Sequence, residues 1–358
     1  MRNYLLLSLL FAVTFSASAQ KKESFIKRAL RTENDTVYVT QYLTDVTLRM
    51  LGQRKYSYYD LNDHGQDKEL LYRPNNNITV GVGANYELLG LNLVFNLPFI
   101  NKDNDERGKT KFIDLQTHLY LRKLAIDLYG NFYKGFYIDN PAGFVPGYQS
   151  SDGYPKRGDL YHTNIGANVQ YIFNDSKFSY RAAFVQNEWQ KRSAGSFMAG
   201  GEIYRMSMRG DSNLIPSGNP EFFDGNTFNK SSIFTVVGNV GYAYTLVVKQ
   251  HFYLSGSLSG GLGVNSTAMK YEDSDDKLQE IGWQFNNTVR LAAGYNSDRY
   301  FASVTYVENI TRGQSPIART YQTFGAGTFR VSIGRRFGLK KPWIKPGSVL
   351  SSVEKKEE

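Results

Sequence analysis

The dominant pattern along the chain is an alternation of apolar and polar residues with a period of two. In residues 251–265, for example, Phe252, Leu254 and Leu258 alternate with serines and glycines. Successive side chains of a β-strand point to opposite faces, whereas helical patterns repeat every 3.6 residues. The pattern therefore predicts an all-β protein built from strands with one apolar and one polar face.

Two architectures use such strands. A soluble sandwich turns the apolar faces inward, and a membrane barrel turns them outward around a polar interior. The alternating segments are long enough for a tilted strand to cross a bilayer. Their polar faces are rich in Gly, Ser, Asn and Arg, and aromatic residues such as Tyr242 and Tyr244 lie near segment ends. We therefore predict an antiparallel transmembrane outer-membrane β-barrel of about 12 strands.

The predicted strands are separated alternately by short turns and long loops. They are expected at 42–51, 78–88, 91–97, 111–122, 124–136, 160–173, 177–189, 232–246, 251–265, 281–295, 300–309 and 323–337. An even strand count places both termini in the periplasm and the long loops outside. Because a strand at 197–207 would break this alternation, we place that segment in a hairpin inside the external loop 190–231.

The ends of the chain carry targeting information. Arg2, a short apolar run and the small residues Ala17-Ser18-Ala19 predict a signal peptide over 1–19. Residues 20–41 form a predicted periplasmic leader, 42–337 the transmembrane barrel, and 338–358 a charged tail. The aromatic Phe337 ends the last strand, where barrel-assembly machinery reads its substrates. We expect export to the outer membrane of a Gram-negative bacterium, with outer-membrane lipid and lipopolysaccharide as partners.

The amino-acid composition excludes several classes of protein. The 358 residues include 33 glycines, 26 tyrosines and no cysteine, which excludes a thiol nucleophile and a disulfide scaffold. A mean hydropathy of −0.43 excludes a bundle of membrane helices. The net charge of +9 is compatible with nucleic acid, but in an exported chain it favours anionic membrane surfaces or a cationic lumen.

Three segments of the chain resemble a known family. They are LLYRPNNNITVGVGANYELLGLNLVFNLP (70–98), LAIDLYGNFYKGFYIDNP (124–141) and QKRSAGSF (190–197). These segments are similar to Bacteroidetes outer-membrane proteins grouped as domain of unknown function 4421, over about residues 35–340. The resemblance implies an outer-membrane barrel made from a signal-bearing precursor. The family carries no established activity, so the resemblance implies no site.

Enzyme motifs are weak. The sequence contains no P-loop, no G-x-G-x-x-G leading into a helix and no G-x-S-x-G elbow. The enzymatic alternative is a membrane-embedded lipid hydrolase of the outer-membrane phospholipase type, whose motif resembles H-x-S-N-G. The nearest match, at 162–166, begins with His162 but lacks the serine nucleophile, and Ser193 has no histidine nearby in the sequence. The acidic loops depart from calcium-loop spacing at Glu106, so neither a metal nor a cofactor is expected.

Charged residues on the polar strand faces are the candidates for a lumen site. They are Arg181, Arg290, Arg330, Arg336, Glu87, Asp114 and Asp127. Two roles remain open for them. The arginines could line a narrow, anion-favouring water path, or arginine and aspartate side chains could interlock and close the lumen.

The long external loops supply a third set of candidates. Aromatic residues lie among prolines in the loops 137–159 and 190–231; they are Phe144, Tyr148, Tyr154, Phe222 and Phe223. Exposed, they would bind a surface glycan or a protein; folded inward, they would cap the barrel. The sequence thus predicts a non-enzymatic envelope protein, either a narrow pore or a surface-binding barrel.

Overall fold

The computed structural model describes residues 34–42, 45–86, 89–96, 103–271 and 276–339. The predicted signal peptide, most of the leader and nearly all of the tail lie outside these ranges. The strands are β1 (Val39–Gln41), β2 (Asp45–Asp63), β3 (Lys68–Arg73), β4 (Ile78–Tyr86), β5 (Leu89–Asn96), β6 (Lys111–Asp114), β7 (Thr117–Tyr120), β8 (Leu124–Ile138), β9 (Lys156–Ile172), β10 (Glu188–Gln190), β11 (Ala194–Arg209), β12 (Lys230–Val248), β13 (Phe252–Lys270), β14 (Lys277–Asn296), β15 (Tyr300–Gln314) and β16 (Thr320–Gly338).

The helical segments of the described residues are all short. They are α1 (Asn104–Arg107), the 3-10 turns Pro141–Gly143, Ser150–Asp152 and Phe222–Gly225, and the π-helix Arg181–Val185. No helix within the described ranges has the length and apolar character needed to cross a membrane.

Ten antiparallel strands close into a barrel. The ring runs β2, β3, β8, β9, β11, β12, β13, β14, β15 and β16, and β16 returns to β2. The closing pair is continuous from Asp45 opposite Gly338 to Asp63 opposite Thr320. Closure leaves these strands without a free edge, so their backbone donors and acceptors are satisfied within the wall.

Four further strands, β4 to β7, are attached beside the ring. β4 pairs with the first half of β2, from Thr47 to Arg54, and β5 pairs with β4. β6 and β7 pair with β8. Among the described residues β5 and β6–β7 are not paired with each other. We call the space between these two edges the slot.

The strand β3 closes the ring above the slot. It pairs with the second half of β2 and reaches β8 through only Tyr72 and Arg73, which lie opposite Ile138 and Tyr137. The wall is thus continuous at one end of the barrel and divided lower down.

The two faces of the wall are oriented as the alternation predicts. On β13, Leu258 and Leu262 are 62% and 70% exposed, while Ser257 and Ser259, which point inward, are 7% and 1% exposed. The outer apolar side chains form a belt around the wall that includes Leu48, Met50, Val82, Leu128, Val169, Ile203, Val236, Val240, Leu254, Leu258, Leu262, Trp283, Phe285, Leu291, Val304, Val331 and Ile333. The prediction of an apolar outside and a polar inside is confirmed.

Buried side chains occupy both ends and the middle of the interior. The end that carries the short turns holds residues 174–190, which include the π-helix and β10; β1 pairs with β10, and we call this unit the plug. The opposite, loop end holds the connection 210–229, which packs into a cluster of buried apolar residues and is called the cap here. Polar side chains of the wall occupy the middle.

The structure corrects two strand predictions. Residues 177–189 were expected to cross the wall but fold inward as the plug, because Arg181, Ala182 and Ala183 are all buried and do not alternate. Residues 197–207 were expected in an external hairpin but belong to β11, whose inward Glu202 and outward Ile203 do alternate. The predicted ring of about 12 strands is instead a ring of ten with four attached strands.

Candidate functional site: the filled lumen and its side cavity

The middle of the lumen is crossed by an ion pair. Asp127 on β8 and Arg290 on β14 are both fully buried, and Arg290 Nη2 contacts Asp127 Oδ2. The two strands are five positions apart in the ring, so the pair spans the interior. His118 on β7 is bonded to the other carboxylate oxygen, with Nδ1 2.6 Å from Oδ1. A buried pair of this kind is costly to break, since separation leaves an uncompensated charge in the interior.

Amide side chains extend this pair across neighbouring strands. Arg290 Nη1 donates to Gln170 Oε1 (3.3 Å), and Gln170 Nε2 donates to Ser259 Oγ (2.9 Å). Glu202 accepts from Asn239 Nδ2 (2.6 Å) and Asn286 Nδ2 (2.7 Å). The network joins five wall strands, β9 and β11 to β14, at one level, and its groups mostly bond one another.

The plug is built around one buried carboxylate. Glu188 is fully buried and accepts from Arg122 Nη1 (2.8 Å) and Ser179 Oγ (2.5 Å). Arg181 lies on the other side of the same carboxylate, with Nε 3.6 Å from Oε1. Two guanidinium groups around one carboxylate fix the fold of the inward segment.

Wall side chains hold the plug by its backbone carbonyls. Arg336 Nε donates to Gln186 O (2.8 Å), and Asn296 Nδ2 donates to the carbonyls of Ala182 (3.1 Å) and Glu188 (3.0 Å). Tyr253 OH donates to Ala183 O (3.1 Å). These bonds come from β13, β14 and β16, so the plug is fastened to three strands of the wall.

The cap closes the loop end with aromatic packing. Its buried apolar side chains are Leu214, Ile215, Phe222, Phe223 and Phe228. The ring of Phe222 packs edge-on against Phe144 at 5.0 Å between centroids. The backbone N–H of Phe223, a residue in the left-handed region with φ 57°, donates to Asp63 Oδ2 (2.8 Å).

A second anchor fastens the cap to the start of β9. Arg157 Nη2 donates to Asp159 Oδ2 (2.8 Å), which also accepts from the backbone N–H of Asp211 (3.1 Å). The hydrogen bond from Arg157 lowers the pKa of Asp159 below its usual value. The cap is therefore held by a charged group that stays ionised near neutral pH.

An internal cavity lies beside these buried layers. A cavity of about 460 Å³ lies between β2, β15 and β16 on one side and β5 and β6–β7 on the other, above part of the plug. Its basic lining residues are Arg49, Lys55, Arg181 and Arg330. Lys55 is neutralised by Asp114, with Nζ 2.7 Å from Oδ1. Arg181 shares the carboxylate of Glu188.

The other two basic groups of the cavity have only neutral partners. Arg49 Nη2 donates to Asn85 Oδ1 (2.5 Å), and Arg330 Nε donates to Gln53 Oε1 (3.1 Å). The buried Nε of Arg49 has no hydrogen-bond partner. Within the described residues neither guanidinium is in an ion pair, and both line the cavity.

The predicted lumen residues are all inside where they are described, but they do not form one site. Asp127 and Arg290 lie in the middle layer, and Arg181 and Arg336 lie in or against the plug. Arg330 and Asp114 line the cavity. Arg181 was expected on a strand but is on the π-helix, and Glu87 lies outside the described residues.

The predicted loop aromatics divide into two groups. Phe144, Phe222 and Phe223 are buried and belong to the cap, so they do not present an external binding surface. Tyr148 and Tyr154 are partly exposed, and Tyr154 lies beneath the guanidinium of Arg107 at 5.5 Å. Of the two arrangements considered for the loop aromatics, exposed for binding or folded inward as a cap, the three phenylalanines adopt the second.

The residues considered for a lipid hydrolase are far apart. His162 is buried, stacks on Phe324 at 5.1 Å and has Nδ1 3.2 Å from Ser207 O. Ser193 lies at the other end of β11, where its Oγ accepts from Val247 N (2.9 Å). Met208, opposite His162, and Ala194 are separated along β11 by roughly 45 Å at the rise of a strand.

Several charged residues of the interior were missed from the sequence. Arg49 lies on the inward face of β2 between outward Leu48 and Met50, and this alternation was a usable signal. Glu202 was missed because its segment was assigned to a loop. Glu188 was missed because the plug was assigned to the wall.

Comparison with solved structures finds other barrels. The outer-membrane protease OmpT from Escherichia coli is 10% identical, with 83% of this chain and 98% of that chain covered and a TM-score of 0.36. The toluene transporter TodX from Pseudomonas putida is 10% identical, with 87% and 94% covered and a TM-score of 0.27. The translocator domain of the autotransporter NalP from Neisseria meningitidis is 12% identical, with 81% and 88% covered and a TM-score of 0.28.

Comparison with curated proteins finds no match. A family whose description is "Domain of unknown function (DUF4421)" matches residues 33–337, which is most of the chain. The chain belongs to the DUF4421 family.

Proposed function

We propose that this protein is a non-enzymatic barrel of the bacterial outer membrane that is closed along its axis and binds an anionic group in its side cavity. Support for the location comes from the apolar belt, from exposed aromatic residues such as Tyr242, Tyr244 and Tyr300 toward the turn end, and from the polar interior. Its proposed partners are outer-membrane lipid and lipopolysaccharide around the belt and the assembly machinery during insertion.

One observation carries the functional part of the proposal: the lumen is blocked at three successive levels. The plug, the Asp127–Arg290 layer and the cap each consist of buried side chains that bond or pack across the interior. An axial pore needs a continuous path of water, and these three levels of buried side chains support the proposal that no such path exists. Of the two roles left open for the lumen residues, interlocking describes the middle layer and the plug.

Two arginines of the interior, Arg49 and Arg330, then provide the proposed binding site for an anion. Arg49 and Arg330 lie on a cavity, and their hydrogen-bond partners among the described residues are the neutral Asn85 and Gln53. A guanidinium group held without a carboxylate favours carboxylate or phosphate ligands, because bidentate hydrogen bonds satisfy its donors. The favoured ligand is therefore an anion that stays in the protein and does not pass along the axis.

Planar-bilayer recording tests the closed axis. We expect no current steps from the wild type, and none from Arg49→Gln, which leaves all three blocking levels intact. Asp127→Ala/Arg290→Ala removes the middle layer only, so the plug and cap are still expected to prevent conduction. Unitary currents from the wild type would overturn the proposal in favour of a pore.

Cell fractionation tests the location. Full-length protein is expected in the outer-membrane fraction, and an unboiled sample is expected to migrate differently from a boiled one, because a closed barrel resists detergent. Recovery of the protein as a soluble species without detergent would contradict the proposal.

A further inference from the structure

We propose that the slot between β5 and β6–β7 is the route by which a single-chain anionic amphiphile reaches the side cavity from the surrounding membrane. The proposed head group contacts Arg49 and Arg330, and the alkyl chain leaves through the slot. The inference rests on the proposed function, namely on an apolar belt that faces lipid, a closed axis and an anion site in the side cavity.

The first observation is that the wall is divided beside the cavity. Residues Gly90, Asn92 and Val94 of β5 and the segment from Asp114 to Tyr120 line opposite sides of the same cavity. Within the described residues, no backbone pairing joins these two edges. The backbone pairing of the described residues is therefore interrupted at the slot, directly beside the cavity.

The second observation is that both rims of the slot are apolar on the outside. On one rim, Leu91 and Leu93 are exposed, and on the other, Ile113 and Leu115 are exposed. Leu91 and Leu115 also line the cavity. An alkyl chain that passes between these side chains keeps apolar contacts along its length, whereas a hydrated ion would have to lose its water there.

The third observation is the charge of the cavity. Lys55 is paired with Asp114, and Arg181 shares the carboxylate of Glu188 with Arg122. Arg49 and Arg330 line the same cavity and donate to the neutral side chains of Asn85 and Gln53. Burying such charges without a counterion is unfavourable, so an anionic head group between them stabilises the site.

Because the plug and the cap close the two ends of the lumen, the slot is the proposed route of the ligand to the cavity. The plug forms part of the cavity floor through Phe184 and Val185, and the cap closes the loop end. A ligand with a polar head and one long chain fits this geometry because it needs both a cationic interior and an apolar exit. A small anion uses only the first feature, and a neutral lipid uses only the second.

Binding measurements on the full-length protein in zwitterionic nanodiscs test the ligand class. Isothermal titration with dodecanoate is expected to show saturable binding, whereas acetate and dodecanol at the same concentrations are expected to show none. Equal binding of acetate would reassign the cavity to small anions and overturn the amphiphile. If neither dodecanoate nor dodecyl phosphate gives a measurable heat of binding, the proposed amphiphile site is wrong.

A matched pair of variants tests the head-group contacts. Arg49→Gln/Arg330→Gln is expected to weaken dodecanoate binding by about tenfold or more, as for the loss of charge-assisted hydrogen bonds. Arg205→Gln is the control, because Arg205 is exposed on β11 and does not line the cavity. Unboiled gel mobility checks that each variant folds. Unchanged binding in the double variant would overturn the assignment of these arginines.

Chemical bridging of the slot tests the route. Since the chain has no cysteine, Asn92→Cys/Thr117→Cys places two unique thiols on opposite rims for a cleavable bismaleimide. Bridging is expected to slow dodecanoate binding strongly relative to the unbridged double variant, and cleavage of the bridge is expected to restore the rate. Binding that is unaffected by the bridge would overturn the slot route but leave the closed axis untouched, since bilayer current reports the axis separately.

Discussion

The two sides of the barrel wall are built from very different lengths of paired chain. From β11 to β16 each strand has 15 to 20 residues, and its register runs without interruption. From β3 to β7 the strands have only 4 to 9 residues. Long strands satisfy their backbone groups on both sides, whereas the short ones leave two free edges. The difference shows that a ring of strands can close at one end through β3 although the described strands lower in the wall are not all paired with each other.

Local sequence explains why the short side is interrupted. Pro74 follows β3 and lacks the N–H that a further ladder bond would need. Between β6 and β7 the side chain of Asp114 accepts from the backbone N–H of Gln116 (3.0 Å), a local turn that competes with strand pairing. The long side has no such break inside β13 or β14.

The largest expected contrast between the two sides is in amide hydrogen exchange. Amides of β13 and β14 are expected to exchange only through global unfolding, because both neighbours hold them. Amides of β5 and β7 are expected to exchange roughly 100-fold faster or more through local opening. Mass spectrometry of the protein in nanodiscs measures both, and equal protection of the two sides would contradict the comparison.

Removal of one positive charge is expected to lower the free energy of unfolding more on the long-strand side than on the short-strand side. Arg290→Ala strands the buried carboxylate of Asp127 and is expected to lower the free energy of unfolding by about 3–5 kcal/mol. Lys55→Ala, on the slot side, is expected to cost only about 1 kcal/mol, because Lys55 is partly exposed and Tyr133 still donates to Asp114. Urea unfolding in lipid vesicles measures both, with Arg205→Ala as the neutral control; similar losses for the two variants would break the contrast.

A charge on the outer face tests the long side against lipid. Leu258→Arg is expected to lower the free energy of unfolding by about 2–4 kcal/mol, because Leu258 lies on the apolar belt. Leu258→Phe adds volume without charge and is expected to change stability by less than about 0.5 kcal/mol. If the two variants unfold alike in vesicles, Leu258 does not face the membrane.

The smallest expected effect concerns the pairing of β2 with β3, the strand that closes the ring above the slot. Asp60 lies beyond the apolar belt, on the part of β2 that pairs with β3, and burial, with the charge of Glu69 added, raises its pKa to about 7. A raised carboxyl pKa favours folding at low pH, and this contribution is lost as pH rises through the folded value. Asp60→Asn is therefore expected to stabilise the protein by about 1–3 kcal/mol at about pH 8 and hardly at about pH 4.

Urea midpoints of the wild type and Asp60→Asn across this pH range measure the effect. Glu69→Gln is the matched variant, since it removes the neighbouring charge and should reproduce part of the gain. A gain that does not depend on pH would show that ionisation of Asp60 is not its cause.

Alternation along the chain was sufficient to predict the all-β class, the outward apolar face and most of the long strands. Residues such as Leu258 and Ser259 carry this information themselves, because their burial follows directly from which face of the strand they occupy. The same reasoning identified Arg290 and Asp127 as interior groups, but not that they pair with each other. Their contact depends on how strands five positions apart close into a ring.

The plug and the slot could not be predicted in this way. The segment with Phe178, Tyr180 and Phe184 is as aromatic as a wall strand, and only contacts with β13, β14 and β16 distinguish it. The slot is a missing pairing between β5 and β7, which no local pattern records. Arg49 is the exception, since its place between two outward residues was visible in the sequence.

The plug differs from a separate domain in its covalent attachment. It leaves the wall at the end of β9 and returns at the start of β11, which are themselves neighbours in the ring. A segment tethered at two adjacent points can tilt or partly unravel, but it cannot leave the barrel. Any mechanical pull on residues 34–42 would be transmitted through the β1–β10 pairing to that tether, which limits the travel of the plug to the slack in about twenty residues.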